Sequence, residues 1–234
     1  MSNSPLVSYT KLSPNHSGQR THAVDRITPH CVVGQCSVET LGNIFAPTSR
    51  QASCQYGIGV DGRVGMYVEE KNRSWCSSSN ANDQRAITIE CASDATHPYA
   101  FNDTVYAKLI ELCTDICKRY GKTKLLWFGD KTKTLNYEPA FNEMVLTVHR
   151  WFANKSCPGD WMYARMGDLA SKVTAKLGGS IGGNDKPVDN PVLYRVQTGA
   201  FGNKANADAM LQKVKAAGFD TYMVKVDNLY KIQV

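Results

Sequence analysis

Ala86-Ile87-Thr88-Ile89-Glu90-Cys91 reads as a strand that ends on a carboxylate, and a long helix follows it. Over that helix Val105, Leu109, Leu112 and Ile116 recur at the three-to-four-residue period of a buried face. Asp103 suits its N-cap and Gly121 its stop, so the helix is expected from about Asp103 to Tyr120. Upstream, Tyr56-Gly57-Ile58-Gly59-Val60 and Arg63-Val64-Gly65-Met66-Tyr67-Val68 flank Asp61-Gly62, a hairpin signal because that dipeptide supplies the positive φ angles of a tight turn. This order of strands and helices places the chain in the α/β class, with a mixed central β-sheet flanked by helices.

Working outward, Ser37 with Glu39 opens a short amphipathic helix through Leu41 and Ile44, ended by Pro47. Residues 1–26 are polar and read as an extended arm before the first core strand. Downstream, Phe141 to Trp151 carries His149, and Tyr163 to Leu177 reads as one final helix. The glycine, serine and proline content of 178–191 then marks a flexible linker between a domain at 1–177 and a module at 192–234. The module reads as βαββ: Leu193–Phe201, Lys204–Ala217, Thr221–Val226 and Leu229–Val234.

The 234 residues carry a formal charge of +6 that is not gathered into a run, which argues against a nucleic-acid partner. A polyanionic cell wall would still be attracted. No stretch approaches the roughly 20 apolar residues of a membrane span, and the N-terminus lacks a basic segment followed by an apolar run. The expectation is a protein made in the cytoplasm without a signal peptide and without membrane insertion. Its eight cysteines are expected to be mostly reduced, with Cys31, Cys91, Cys113 and Cys117 as small buried apolar groups.

Two separated signals carry the chemistry: His30 in Ile27-Thr28-Pro29-His30-Cys31, and His149 followed eight positions later by Cys157. Two imidazoles and a thiolate are the three protein ligands with which a catalytic zinc keeps its fourth position open for water. The ligands are too far apart in sequence for spacing alone to carry that conclusion. A lone histidine is ordinarily a satisfied core or surface group, and His16, His22 and His97 are read that way.

With Ala86–Glu90 between the two signals and Lys155 two positions before Cys157, residues 5–177 resemble the zinc N-acetylmuramoyl-L-alanine amidases of the peptidoglycan-recognition superfamily, phage endolysins included. The resemblance implies Zn2+ on His30, His149 and Cys157, and hydrolysis of the amide between N-acetylmuramic acid and the L-alanine of the stem peptide. It implies Glu90 as general base and Lys155 as the cation that stabilises the oxyanion. Some relatives use instead a tyrosine where this chain has Cys54. Arg73 and Trp75 are implied as a groove wall, and many relatives carry a histidine where Cys76 stands; Tyr56 reads as a core strand aromatic, with contact to substrate as the alternative. Val38–Phe45, Ala46–Arg50 and Asn72–Cys76 are similar to endolysins aimed at Gram-positive, clostridia-like hosts, which act on the wall after release.

Arg195-Val196-Gln197-Thr198-Gly199-Ala200-Phe201, with Lys215-Ala216-Ala217-Gly218-Phe219, resembles the sporulation-related (SPOR) repeat, a glycan-binding module, over about half of that module's length. Leu193–Gln197 recurs as Leu229–Gln233, and a half-length module with open sheet edges implies a homodimer through paired tails. Two other functions compete with this reading. A peptidoglycan-binding protein without activity would lack a ligand, and all three are present; a thiol peptidase would lose activity on alkylation and keep it on chelation.

Overall fold

The strand expected at Ala86–Cys91 lies at the centre of a seven-stranded sheet. In the computed structural model, residues 3–178, 197–219, 221–226 and 228–233 are described. The chain divides into two compact units, Met1–Val188 and Asp189–Val234.

In chain order the first unit contains β1 (Val7–Thr10), β2 (His16–Gln19), β3 (Arg26–Cys31), α1 (Val38–Phe45), β4 (Tyr56–Ile58), β5 (Val64–Met66) and β6 (Asn72–Ser74). There follow α2 (Asn80–Arg85), β7 (Ala86–Cys91), α3 (Asp103–Arg119), β8 (Lys124–Leu126), α4 (Lys131–Asn136), β9 (Glu143–Leu146), α5 (Asp160–Tyr163) and α6 (Met166–Lys176). The sheet order is β1-β5-β4-β7-β3-β9-β8. Strands β4, β7, β3, β9 and β8 run parallel, while β5 is antiparallel to β4, so the sheet is mixed as expected.

Strand periodicity divides the chemistry between the two faces. Ile27 of β3 and Ile87, Ile89 and Cys91 of β7 enter one core with Leu109, Leu112 and Ile116 of α3 and Leu169 and Val173 of α6. The alternate residues Thr28, His30, Thr88 and Glu90 turn to the opposite face, where Leu41 and Phe45 of α1 pack with Cys54 and Tyr67 in a second, smaller cluster. At Gly57 of β4 an added Cβ would lie 2.7 Å from both Leu41 and Tyr67, so glycine allows α1 to approach this face.

Several boundaries differ from the sequence reading. The N-terminal arm is built into the fold: β1 pairs with β5, and β2 forms a separate ladder with β6. Its alternating burial pattern is short and polar, which hid it. Asn102, not Asp103, caps α3, accepting from the Val105 amide. The expected last helix is divided at Ala164 and Arg165 into α5 and α6. The expected linker lies outside the described residues except for Gly178. Among the described residues no helix is long and apolar enough to cross a membrane.

The second unit contains β10 (Gln197–Phe201), α7 (Lys204–Ala216), β11 (Tyr222–Val226) and β12 (Leu229–Gln233), joined as an antiparallel sheet in the order β10-β12-β11. This is the βαββ order read from the sequence, with 193–196 outside the described residues. Ala207 and Ile232 are its buried apolar residues among those described.

Candidate active site

Three parallel strands deliver the central side chains from their carboxyl ends. His30 sits at the end of β3 and is the Cα partner of Glu90 at the end of β7. His149 begins a 3-10 turn, His149–Trp151, just beyond β9, whose extension is held by the Thr147 amide donating to Ile27 O at 3.0 Å. The loop that follows returns Cys157 to the same place: the Arg150 amide donates to Cys157 O at 3.1 Å. Gly159 then adopts a φ of +84°, and a Cβ there would lie 2.8 Å from Pro98 O, so only glycine closes this loop.

The result is a convergent donor set. Sγ of Cys157 lies 3.2 Å from Nδ1 of His30, and the rings of His30 and His149 are 5.1 Å apart. One donor atom from each of His30, His149 and Cys157 lies within 4.8 Å of the others. Burial, and then the neighbouring His149, pushes His30 well below its ordinary pKa, which keeps the imidazole neutral as a metal ligand requires. His149 is lowered too, by burial and then by the charge of Lys155. Burial raises the Cys157 thiol well above its usual range, so its thiolate needs a cation beside it. Nε2 of His149 is engaged with Ser78 Oγ at 2.9 Å, which orients the ring. Neutral nitrogens and a thiol that ionises only against positive charge fit a zinc ion.

Glu90 is half-buried beside this set. Burial pushes its carboxyl up to about 7, against the opposing charge of Arg50 and the Cys76 thiol, whose Sγ lies 3.9 Å from Oε1. Oε2 is buried and has no hydrogen-bond partner among the described residues. That atom is free to hold a proton.

Two adjoining grooves of about 520 and 430 Å³ open onto the donors, and Phe45, Arg50, Glu90, His149 and Lys155 line both. Lys155 is exposed at their junction. Arg73 and Trp75 line the larger groove, and both donate to Ser17 Oγ, Trp75 Nε1 at 2.6 Å. Tyr56 is the core aromatic and not the alternative substrate contact: it is fully buried, its hydroxyl donates to Glu70 Oε1 at 2.5 Å and accepts from the Ser4 amide, and Arg119 pairs with the same carboxylate. Its place in a strand core leaves no surface for substrate. Cys54 is likewise fully buried.

Sequence reasoning missed the scaffold of the groove wall. Asn82, fully buried, donates to Thr28 Oγ1 and Ser77 Oγ, both at 3.1 Å, and accepts from Thr147 Oγ1 at 3.1 Å. Asp83 accepts from Ser77 Oγ at 2.6 Å and from the Cys76 amide at 3.1 Å. This network ties β3, the His149 turn and the 76–79 loop together. Backbone strain concentrates in the same region. Of the five non-glycine residues with positive φ among those described, Val33, Gln51, Ser78 and Tyr99 line the grooves, and Asn228 lies in the other unit.

Residues 19–160 match the family model for N-acetylmuramoyl-L-alanine amidase (Amidase_2), and residues 190–234 match that for the SPOR domain. No curated protein matches the chain by sequence. Among solved structures, PlyL is similar at 14% identity, over 70% of this chain and 95% of that one, with a TM-score of 0.50. An AmpD derivative is 19% identical over 69% of this chain and 93% of its own, with a TM-score of 0.49. The amidase LysC from Clostridium intestinale URNW is 16% identical over 74% and 96%, with a TM-score of 0.45. At such identities the likeness is one of fold, while the family model spans more than half of the chain. A SPOR domain therefore accompanies a larger unit through which the chain belongs to the N-acetylmuramoyl-L-alanine amidase family, enzymes of peptidoglycan hydrolysis.

Proposed function

We propose that the chain is a zinc-dependent amidase in which His30, His149 and Cys157 hold the metal, Glu90 is the general base and Lys155 stabilises the oxyanion. The observation that carries this reading is the convergence of three candidate ligands, from two segments more than a hundred residues apart, within 4.8 Å beside a carboxylate with one unpartnered oxygen. A zinc ion bound there would supply a Lewis acid that acidifies water and polarises the scissile carbonyl. Glu90 takes a proton from the attacking water at Oε2 and returns it to the departing L-alanine amine. Lys155 faces the charge that develops on the carbonyl oxygen, and its exposed ammonium at the groove junction supports that role. Arg73 and Trp75, fixed on Ser17, line the wall that receives the glycan and peptide.

The wider assignment extends this reading. A catalytic domain at 1–177, a linker at 178–191 and a wall-binding module at 192–234 form an enzyme that acts on the cell wall after release. The likeness of Val38–Phe45, Ala46–Arg50 and Asn72–Cys76 to endolysins of clostridia-like hosts supports a Gram-positive target. Strands β10 and β11 are the outer strands of their sheet, and open strand edges support self-association of the tails as a homodimer.

The test is digestion of purified cell walls with mass spectrometry of the new ends. Free L-alanine amino groups should appear, should vanish on chelation and should return with added zinc. Full activity after exhaustive metal removal overturns the zinc assignment, and new reducing sugar ends in place of amines overturn the bond assignment.

A further inference from the structure

Cys76 and Glu90 form a second donor cluster that the reaction above does not use as such. With His30 they again bring one donor atom each within 4.8 Å of one another. Two atoms of this cluster lack partners among the described residues: Nε2 of His30, on a residue 1% exposed, and Oε2 of Glu90. Buried polar atoms left unpaired are costly, and a cation between them would satisfy both. His30 can serve two ions only as an imidazolate: Nδ1 lies against Cys157, and a second cation at the unpartnered Nε2 displaces that nitrogen's proton to solvent. A thiolate, a carboxylate and an imidazolate nitrogen, each of which gives up its proton to solvent as the ion binds, suit a borderline-to-soft divalent cation such as Zn2+ or Cd2+. Cys76 is held in place through its amide on Asp83 and lines the larger groove, which gives an ion its route.

We propose that His30, Cys76 and Glu90 form a second, weaker site for a soft divalent cation, beside that of His30, His149 and Cys157, and that filling it takes Glu90 out of proton transfer. The regulatory part rests on Glu90 being the base. Arg50 and Lys155 line the same groove and repel an incoming cation, so the site fills only when metal is in excess. The enzyme would then be restrained by an oversupply of the ion that it needs.

The experiment titrates the metal-free full-length protein with Cd2+ alone, following bound cadmium by equilibrium dialysis and the thiolate-to-cadmium band in the ultraviolet. The wild type should take two equivalents, one tight and one weak, and each should add a thiolate signal. Cys76→Ser should keep the tight equivalent, which also reports a folded protein, and lose the weak one. Cys157→Ser should lose the tight one. A single equivalent in the wild type, or a second that survives Cys76→Ser, overturns the second site alone. A tight equivalent unchanged in Cys157→Ser overturns the primary metal centre instead, and no bound cadmium overturns both.

Discussion

His30 and Glu90 are direct Cα partners across the parallel ladder of β3 and β7, so a metal ligand and the proposed base are fixed by the same backbone pairing. That rigidity makes the carboxylate testable without disturbing the metal. Glu90→Gln should leave zinc content and fold intact and cost about two or more orders of magnitude in kcat, the usual contribution of a positioned general base. Normal turnover in this variant would move the base elsewhere.

Asn82 joins β3, the His149 turn and the 76–79 loop through four side-chain hydrogen bonds made in full burial, the fourth accepted from Arg26 Nη1 at 3.3 Å. Asn82→Ala leaves Thr28, Thr147 and Ser77 short of partners and should lower stability by roughly 2–3 kcal/mol in urea unfolding. Zinc affinity should fall with it, because Thr147 stands two residues before His149. A loss below about 0.5 kcal/mol would show that relaxation or water replaces the network.

Burial raises the Asp83 carboxyl above its ordinary 3.8, against the hydrogen bonds from Ser77 and Cys76 that lower it. A raised carboxyl gives stability that is complete below the unfolded pKa and is lost as pH rises through the folded one. The stability of the wild type minus that of Asp83→Asn should therefore fall as pH rises over the range above the ordinary 3.8. A difference that grows over that range would mean that the hydrogen bonds outweigh burial.

The SPOR domain and the catalytic site lie in different compact units. A chain ending near Leu177 should cleave soluble muropeptides at close to the full-length rate while sedimenting less with whole walls. Light scattering on both forms tests the tail as a dimerisation element: the full chain should be dimeric at tens of micromolar and the shorter one monomeric. Equal wall binding, or a monomeric full chain, removes the corresponding role.

Periodicity made β7, the β4–β5 hairpin and α3 legible, because each is long or punctuated by a specific turn residue. The polar arm was not, since β1 and β2 have four residues each and gain their structure from pairing with β5 and β6. The positions of His30, His149 and Cys157 were read from local context, and their convergence depends on a return loop closed by Gly159 that no spacing rule contains. Strand alternation gives two faces without saying which is the groove, which left substrate contact open for Tyr56 beside its core reading; its neighbour Gly57, not Tyr56, shares a face with Glu90. Asn82 and Ser78 were invisible for a different reason: their bonds join segments more than fifty residues apart.

The chemical groups stand at the carboxyl ends of β3, β7 and just past β9, whereas Arg50, Gln51 and Trp75 lie on the connections between elements. Reaction and recognition are thus separable under mutation: connecting segments tolerate insertion and change of sequence far better than paired strands do. A lineage built on this arrangement can follow a host that alters its wall by rewriting the groove rim while the hydrolytic machinery stays still. For an engineer the same partition says where to diversify, namely 48–51, and which ladder to leave alone.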